Sequence, residues 1–302
     1  MHGSGTRSIA AGIVSTLTAA FAAVAVAACS SAAPIPQVRA TPSSGKPQQI
    51  FAAPANLVAA AQPQPNGTLW ALAGDAASKG LFDINLATGS GMGSISVSNA
   101  AQSVTESLDG VVGLALGAGR AGALELLNGN TGKLIRSIPL GAPARDVIVG
   151  SDGATFYVLD GTSRSASVTV VNSRTGTVQG AIRVPLDTVS IAPDAAGVSV
   201  YALEPDGMIS QIAIAGGKVM SAFPVGSPAR SIALSPDGST LYVLKDAGAS
   251  ANVTVVNVAT RSVRQVLPAP ANCLQVLVSA DGTQLYQLVG TPSYGNIQVS
   301  PS

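Results

Sequence analysis

Six polar residues recur along the chain, each just after a Pro-Ala pair or its counterpart and just before an apolar run. They are Asn56, Gln102, Arg145, Asp187, Arg230 and Asn272. The two guanidinium groups among them could hold a carboxylate or phosphate through paired hydrogen bonds. If the fold brings the six together, they predict a binding site for a small anionic or polyol ligand. The alternative is that strands beginning at a solvated surface simply start with polar residues.

Imidazole chemistry is missing from the predicted mature chain. The only histidine, His2, lies in a leader segment described below. Its removal excludes Ser-His-Asp and Cys-His catalysis, zinc sites that use imidazole and histidine-ligated haem. Arg145, Asp146, Asp187 and Arg230 remain as candidates for acid or base work, although Asp146 could simply neutralise its neighbour Arg145. We therefore expect no catalytic residue, cofactor or metal, and the sequence favours a non-enzymatic role while leaving that question open.

Three further patterns match known sites only in part. Aspartates recur in separate turns, where such side chains bond their own backbone, and no calcium-loop pattern is present. These aspartates are Asp109, Asp152, Asp194, Asp237 and Asp281. The segment from Gly117 to Gly122 matches G-x-G-x-x-G, but the repeat requires a strand and not a helix after it, which predicts a glycine-rich hairpin. Ser43 and Lys46 have the spacing of some acyl enzymes but lie in a predicted tether.

The elements that position these residues follow from a repeat. A turn signal recurs at Gly67, Gly110, Gly153, Gly197, Gly238 and Gly282, at intervals of 41 to 44 residues. A second turn signal, such as Thr131-Gly132, keeps the same step. The segment from Pro228 to Pro268 holds four runs rich in Val, Ile, Leu, Tyr and Thr, separated by turn residues. This period predicts an all-β, six-bladed β-propeller built from four-stranded antiparallel blades.

The sixth unit lacks a fourth strand, and a matching segment lies at the other end of the repeat region. Residues 48–56 match residues 264–272, with Pro-Ala-Asn in register. We therefore expect residues 48–52 to form the outer strand of the last blade, beside residues 295–299. A strand taken from the far end of the domain removes an exposed sheet edge and closes the ring. The predicted propeller domain is residues 48–302.

The repeat also resembles a known family. The segments that begin at Ser151, Ser235 and Ser279 resemble the SPDG-x-x-LYV pattern of YVTN-type β-propeller repeats. The resemblance covers residues 48–302 and implies a propeller and a cell-envelope habit. The family commonly has seven blades, so a seven-bladed propeller is the alternative. It implies no particular activity, because this fold hosts many functions.

The first 29 residues resemble a bacterial lipoprotein signal. Arg7 precedes an uncharged stretch, and Val26-Ala27-Ala28 precedes Cys29. The resemblance implies a signal peptide over residues 1–28 and lipidation, such as palmitate, on Cys29. The alternative is an uncleaved membrane anchor. Residues 29–47, rich in Pro, Ser and Ala, are predicted to form a flexible tether. Cys273 is then left without a partner and is expected to be a small buried side chain.

The balance of charges and the predicted location of the protein together suggest a class of function. Beyond residue 28 the acidic and basic residues balance, which argues against nucleic-acid binding. We expect a lipoprotein anchored on the extracytoplasmic face of a bacterial membrane, whose propeller binds a protein partner in the envelope or a small polar or anionic ligand at a channel mouth. The alternative is a propeller hydrolase or lyase, similar to lactonases, that acts at the channel mouth without histidine.

Overall fold

The computed structural model describes residues 42–43, 46–47, 49–117, 121–246 and 251–302. This part of the chain contains twenty-six strands, and no helix in it is long and apolar enough to cross a membrane. The predicted signal peptide and Cys29 lie outside the described residues, as do the side chains of Ser43 and Lys46.

The strands are short and follow one another through turns. They are β1 (Pro42–Ser43), β2 (Lys46–Pro47), β3 (Gln49–Ala53), β4 (Leu57–Ala60), β5 (Thr68–Gly74), β6 (Lys79–Asn85), β7 (Gly91–Val97), β8 (Ala101–Glu106), β9 (Val111–Leu116), β10 (Gly122–Asn128), β11 (Leu134–Leu140), β12 (Ala144–Val149), β13 (Thr155–Gly161), β14 (Ala166–Asn172), β15 (Val178–Val184), β16 (Ser190–Pro193), β17 (Ser199–Leu203), β18 (Met208–Ala213), β19 (Val219–Pro224), β20 (Ala229–Leu234), β21 (Thr240–Asp246), β22 (Ala251–Asn257), β23 (Ser262–Ala269), β24 (Cys273–Val278), β25 (Gln284–Thr291) and β26 (Tyr294–Pro301).

Six antiparallel four-stranded sheets form the blades of a β-propeller. Blades 1 to 5 are the consecutive sets β4–β7, β8–β11, β12–β15, β16–β19 and β20–β23, and blade 6 contains β24, β25, β26 and β3. The predicted six-bladed propeller is therefore confirmed, and the seven-bladed alternative is wrong. In the segment predicted as a tether, β1 pairs only with β2.

Blade 6 is closed by the strand from the N-terminal side of the domain. β3 pairs antiparallel with β26, from Gly295 opposite Ala53 to Val299 opposite Gln49. This confirms the predicted pairing with residues 295–299, although the closing strand covers residues 49–53 and not residues 48–52. The side chain of Phe51 is buried in the core between blades 6 and 1. Its burial explains why an apolar strand so distant in sequence docks here.

Adjacent blades bury one another's faces. The core between blades 3 and 4, for example, joins Leu159 and Val168 with Ile191 and Val200, none of which retains any exposed surface. Because each blade has a neighbouring blade on both faces, its inner strands are almost continuously apolar and do not alternate between apolar and polar residues. The turns between first and second strands place glycine at positive φ, such as Gly238 at 72°, which other residues adopt rarely.

The inner strands β4, β8, β12, β16, β20 and β24 line the central channel and define two faces. We call the side on which these strands begin the start face and the side on which they end the end face. The turns between first and second strands, and those between third and outer strands, lie on the end face. The turns between second and third strands lie on the start face.

Candidate functional site

The six polar residues predicted to form a ring occupy two different positions in the structure. Gln102, Arg145 and Arg230 are bulge residues in the inner strands of blades 2, 3 and 5. In blades 1 and 6 the bulge residue is apolar, Val58 or Leu274. The start mouth therefore carries polar bulge residues on only some of its blades.

The remaining three, Asn56, Asp187 and Asn272, lie before the inner strands of blades 1, 4 and 6. Asn56 and Asn272 adopt left-handed backbone conformations, with φ of 55° and 61°, which asparagine tolerates better than most residues. The carbonyl oxygen of Asn56 accepts a hydrogen bond from the Gly74 amide at 3.0 Å. These two asparagines thus supply the left-handed backbone conformation of the turns before β4 and β24. Asp187 is exposed on the start face, where its charge contributes to a raised pKa of Glu204 after burial and the charge of Asp206.

Arg145 and Arg230, the two arginines of the predicted ligand site, donate hydrogen bonds to other atoms of the start face. Arg230 donates to the carbonyl oxygen of Leu274 at 3.3 Å and to a carboxylate oxygen of Asp246 at 3.5 Å. Arg145 donates to the carbonyl oxygen of Thr162 at 3.3 Å. No salt bridge joins Arg145 to Asp146 within the described part of the chain. Asp146 therefore has a role other than neutralising its neighbour.

Asp146 links three blades inside the channel. One carboxylate oxygen accepts from the Ser103 hydroxyl of blade 2 at 2.8 Å and from the Val147 amide at 2.9 Å. The other faces the Ser190 hydroxyl of blade 4 at 3.5 Å, and the Ile191 amide also bonds this side chain. Burial raises the pKa of the Asp146 carboxyl, and these hydrogen bonds oppose that effect. The carboxyl is thus a structural acceptor shared by blades 2, 3 and 4.

The same strand position carries a side chain that bonds a neighbouring blade in every blade except blade 1, where it is Ala59. It is held by Ala59, Ser103, Asp146, Ser190, Ser231 and Gln275, which we call the channel belt. Ser190 accepts from the Ile232 amide at 3.4 Å and Ser231 from the Val276 amide at 3.2 Å, each on the next blade. Gln275 accepts from the Ala60 amide at 2.9 Å and so joins blade 6 to blade 1. Side-chain acceptors therefore fasten successive inner strands together.

The end mouth holds a cavity of about 310 Å³ to which all six blades contribute. Its lining comprises Gln62, Pro63, Gln64 and Pro65 of blade 1, Glu106 and Leu108 of blade 2, Ile148, Val149, Gly150, Ser151 and Gly153 of blade 3, Ala192, Pro193 and Ala195 of blade 4, Leu234, Ser235 and Pro236 of blade 5, and Val278, Ser279 and Ala280 of blade 6. The lining is mostly apolar, as in small-molecule sites. Glu106 is the single ionisable side chain among these residues.

Most polar side chains of the lining are already bonded. Ser151 donates to the carbonyl oxygen of Ala195 on the next blade at 2.6 Å. Ser235 and Ser279 each donate to the aspartate of their own turn. Gln64 donates to the carbonyl oxygen of Glu106 at 3.3 Å. The rim of the cavity is thus fixed by its own hydrogen bonds before any ligand arrives.

The carboxyl of Glu106 is unusual because it is largely buried and its pKa is raised. Burial raises the pKa of its carboxyl to about 7, opposed by a hydrogen bond from the indole of Trp70 and assisted by the charge of Asp83. Trp70 and Asp83 are directly opposite each other on blade 1, so the three side chains meet between blades 1 and 2. One buried oxygen of Glu106 and one of Asp83 lack a hydrogen-bond partner. A carboxyl in this state can donate or accept near neutral pH.

Replacing Glu106 by Gln is expected to stabilise the protein in a pH-dependent manner. The pKa is higher in the folded than in the unfolded chain, so the folded protein keeps the proton longer and loses stability as pH rises from about 4.5 to about 7. Glutamine avoids that loss. We expect a gain of about 1–2 kcal/mol at pH 8, allowing for solvent screening, and little gain at pH 4.5.

Urea denaturation of Glu106→Gln at both pH values checks this expectation. Glu125→Gln, which removes a carboxyl from the same blade away from the cavity lining, is the matched control. An equal gain at both pH values would show that the carboxyl of Glu106 is not held in an unfavourable charged state.

The other sequence candidates have structural roles. Asp237 accepts from Ser235 and from the Ser239 amide, and these hydrogen bonds lower its pKa to about 2, consistent with turn chemistry. β9 pairs with β10 across the glycine-rich segment, which confirms the predicted hairpin. Cys273 has no exposed surface, and burial raises the pKa of its thiol to about 12. Its thiol is therefore protonated at neutral pH and a poor nucleophile.

Comparisons with known proteins support the fold alone. No protein-family profile and no curated protein matches the sequence. Among solved structures, the chain is similar to hydrazine synthase of Kuenenia stuttgartiensis, with a TM-score of 0.65 and 16% identity over 85% of this chain and 86% of that chain. At this identity the similarity extends to the propeller architecture and not to an activity.

Proposed function

We propose that the protein is a lipoprotein of the bacterial cell envelope, acylated at Cys29, whose propeller is a binding module on the extracytoplasmic face of the membrane. Support for this location comes from the small residues that precede Cys29. Support for binding comes from a rigid ring with a preformed cavity at one mouth. The YVTN type of the repeat belongs to the same proposal and rests on the segments at Ser151, Ser235 and Ser279.

The end-mouth cavity is the observation that carries the binding role. Its volume of about 310 Å³ is at the lower limit for drug-sized ligands. Its lining offers apolar contact from all six blades, and its one ionisable residue is Glu106, whose carboxyl meets Trp70 and Asp83 between blades 1 and 2. The chemistry suits an apolar body that carries one hydrogen-bonding or cationic group, either as a small molecule or as a side chain of an envelope protein. Because Arg145 and Arg230 already donate hydrogen bonds to other atoms of the start face, the start mouth is a weaker candidate.

Site-specific photocrosslinking in native membranes tests the proposal. A photoreactive amino acid replaces Ala280, an exposed residue of the cavity lining, in the full chain. A matched variant carries it at Ala76, an exposed residue in a turn of the start face. We expect a discrete adduct from position 280, identified by mass spectrometry, and none from position 76.

Two further readouts make the test decisive. Ala280→Trp fills the cavity and is expected to remove binding of the ligand so identified, whereas Ala76→Trp is expected to leave it intact. The mass of the membrane-bound protein reports acylation of Cys29. Adducts formed only at position 76, or an unmodified Cys29, would contradict the proposal.

A further inference from the structure

Charge is segregated between the outer strands and the rest of the propeller. The outer strands β3, β7, β11, β15, β19 and β23 contain no Asp or Glu, and neither do the turns that lead into them. The basic residues on these strands and turns are Lys133, Arg136, Arg174, Arg183, Lys218, Arg261 and Arg264, all exposed. Only Arg174 is held by a salt bridge, to Asp109, in the described part of the chain. In a chain whose charges otherwise balance, this distribution forms a positive surface.

Exposed aliphatic side chains occupy the same strands. They are Met92, Leu134, Ile135, Val178, Val219, Met220, Val263 and Val266, each about half exposed. All except Val266 lie in the first two residues of their strand, at the end-face edge. Single exposed aliphatics are ordinary, but their recurrence at one edge in five consecutive blades is not. We call these aliphatics, together with Lys133, Arg136, Lys218, Arg261 and Arg264, the rim band.

The chain joins the ring at this same edge. Gln49 lies opposite Val299, which lies opposite Tyr286. Tyr286 is near the start of β25, directly after the end-face turn at Gly282. β3 therefore begins at the end face. Cys29 is 20 residues before Gln49 in the sequence, and 20 residues reach at most about 70 Å. An acyl group on Cys29 would therefore hold this edge within reach of a bilayer.

We propose that the rim band rests on an anionic phospholipid surface, with the end face towards the membrane. This inference depends on the lipid anchor of the proposed function. Lys and Arg attract anionic head groups, and aliphatic side chains beside them can enter the interfacial layer. The contact is made by the outer strands, which contain no acidic residue; the end-face aspartates Asp109, Asp152, Asp194, Asp237 and Asp281 lie nearer the channel, in the turns between first and second strands. In this orientation the end-mouth cavity opens towards the bilayer, so its ligand is taken from the membrane side.

Vesicle flotation of the unlipidated chain from residue 30 to residue 302 isolates the rim band from the anchor. This chain contains every strand of the closed ring. Vesicles contain phosphatidylcholine either alone or with about one-third phosphatidylglycerol. We expect binding only to the anionic vesicles, weakened by salt because the attraction is electrostatic. Arg136→Glu with Arg264→Glu is expected to reduce binding at least tenfold, since each basic residue contributes about 1 kcal/mol.

The matched control is Arg145→Glu with Arg164→Glu, two exposed arginines of the start face with the same change in net charge. It is expected to change binding less than twofold. Equal losses in the two double variants, or no binding of the wild-type chain to anionic vesicles, would overturn the inference. So would retention of an acidic protein by the rim band without vesicle binding. None of these outcomes bears on Cys29 acylation or on crosslinking at the cavity, which test the proposed function separately.

Discussion

Deletion of residues 49–53 is expected to abolish cooperative folding. The deletion removes β3, leaves the backbone groups on that side of β26 without partners and exposes Ile297 and Val299, which are buried in the intact protein. An unpaired edge of this kind is also prone to aggregation. Circular dichroism during heating should show no single sharp transition, and the protein should be recovered mainly as aggregate.

The single substitution Phe51→Ala tests the same contact more gently. Phe51 is only 8% exposed and belongs to the core between blades 6 and 1. We expect a loss of about 3–5 kcal/mol. The control Ile135→Ala, on an outer strand where the side chain is 50% exposed, should cost less than about 1 kcal/mol. Similar urea midpoints for these two variants would indicate that β3 does not close the ring.

The second large effect is expected from Asp146→Ala. The substitution removes the acceptor of two hydroxyls and two amides on three adjacent blades. Buried donors left without partners cost about 1–3 kcal/mol each, partly offset because an unfavourably buried carboxyl is lost. We expect a net loss of about 3 kcal/mol and a decrease in Tm of about 10 °C.

Calorimetry of Asp146→Ala should be compared with that of Ser231→Ala. Ser231 holds the same belt position but accepts from one amide of the next blade, so its loss should be about 1 kcal/mol. A Tm for Asp146→Ala equal to that of the wild-type protein would show that the belt does not hold the blades together.

The blades themselves were predictable because their determinants are local. Asp237 and Gly238 specify a turn by side-chain bonding and positive φ, and equivalent pairs recur in the other blades. The closing strand was predictable because residues 48–56 repeat residues 264–272. The different positions of the polar residues were not, because the bulge residue Arg145 directly follows Pro-Ala in blade 3, whereas two residues separate Pro-Ala from the bulge residue Val58 in blade 1. That is why Asn56 was placed with Arg145, although their positions differ.

The belt and the end mouth depend on contacts between residues that are about one blade apart. Asp146 gains its partners Ser103 and Ser190 only when neighbouring blades dock. One signal was present: a polar residue recurs at the same point of otherwise apolar inner strands, where buried polar groups require partners. Likewise, Glu106 is a charged residue at a strand position that is uncharged in the other five blades. Its raised pKa, however, arises mainly from burial against blade 1, with a smaller contribution from the charge of Asp83 and an opposing one from the hydrogen bond of Trp70, so it depends on how the two blades dock.

The mouths, the belt, the cavity and the rim band all require that β3 complete the sixth blade in the register described. A designed disulfide measures this directly: Ala52 lies opposite Asn296, so Ala52→Cys with Asn296→Cys, in a Cys273→Ala background, should oxidise within one chain. Ala52→Cys with Gln298→Cys, two residues out of register, is the control. We predict rapid intramolecular crosslinking of the first pair and little of the second. Failure of the first pair, or equal crosslinking of both, would contradict a ring closed by β3.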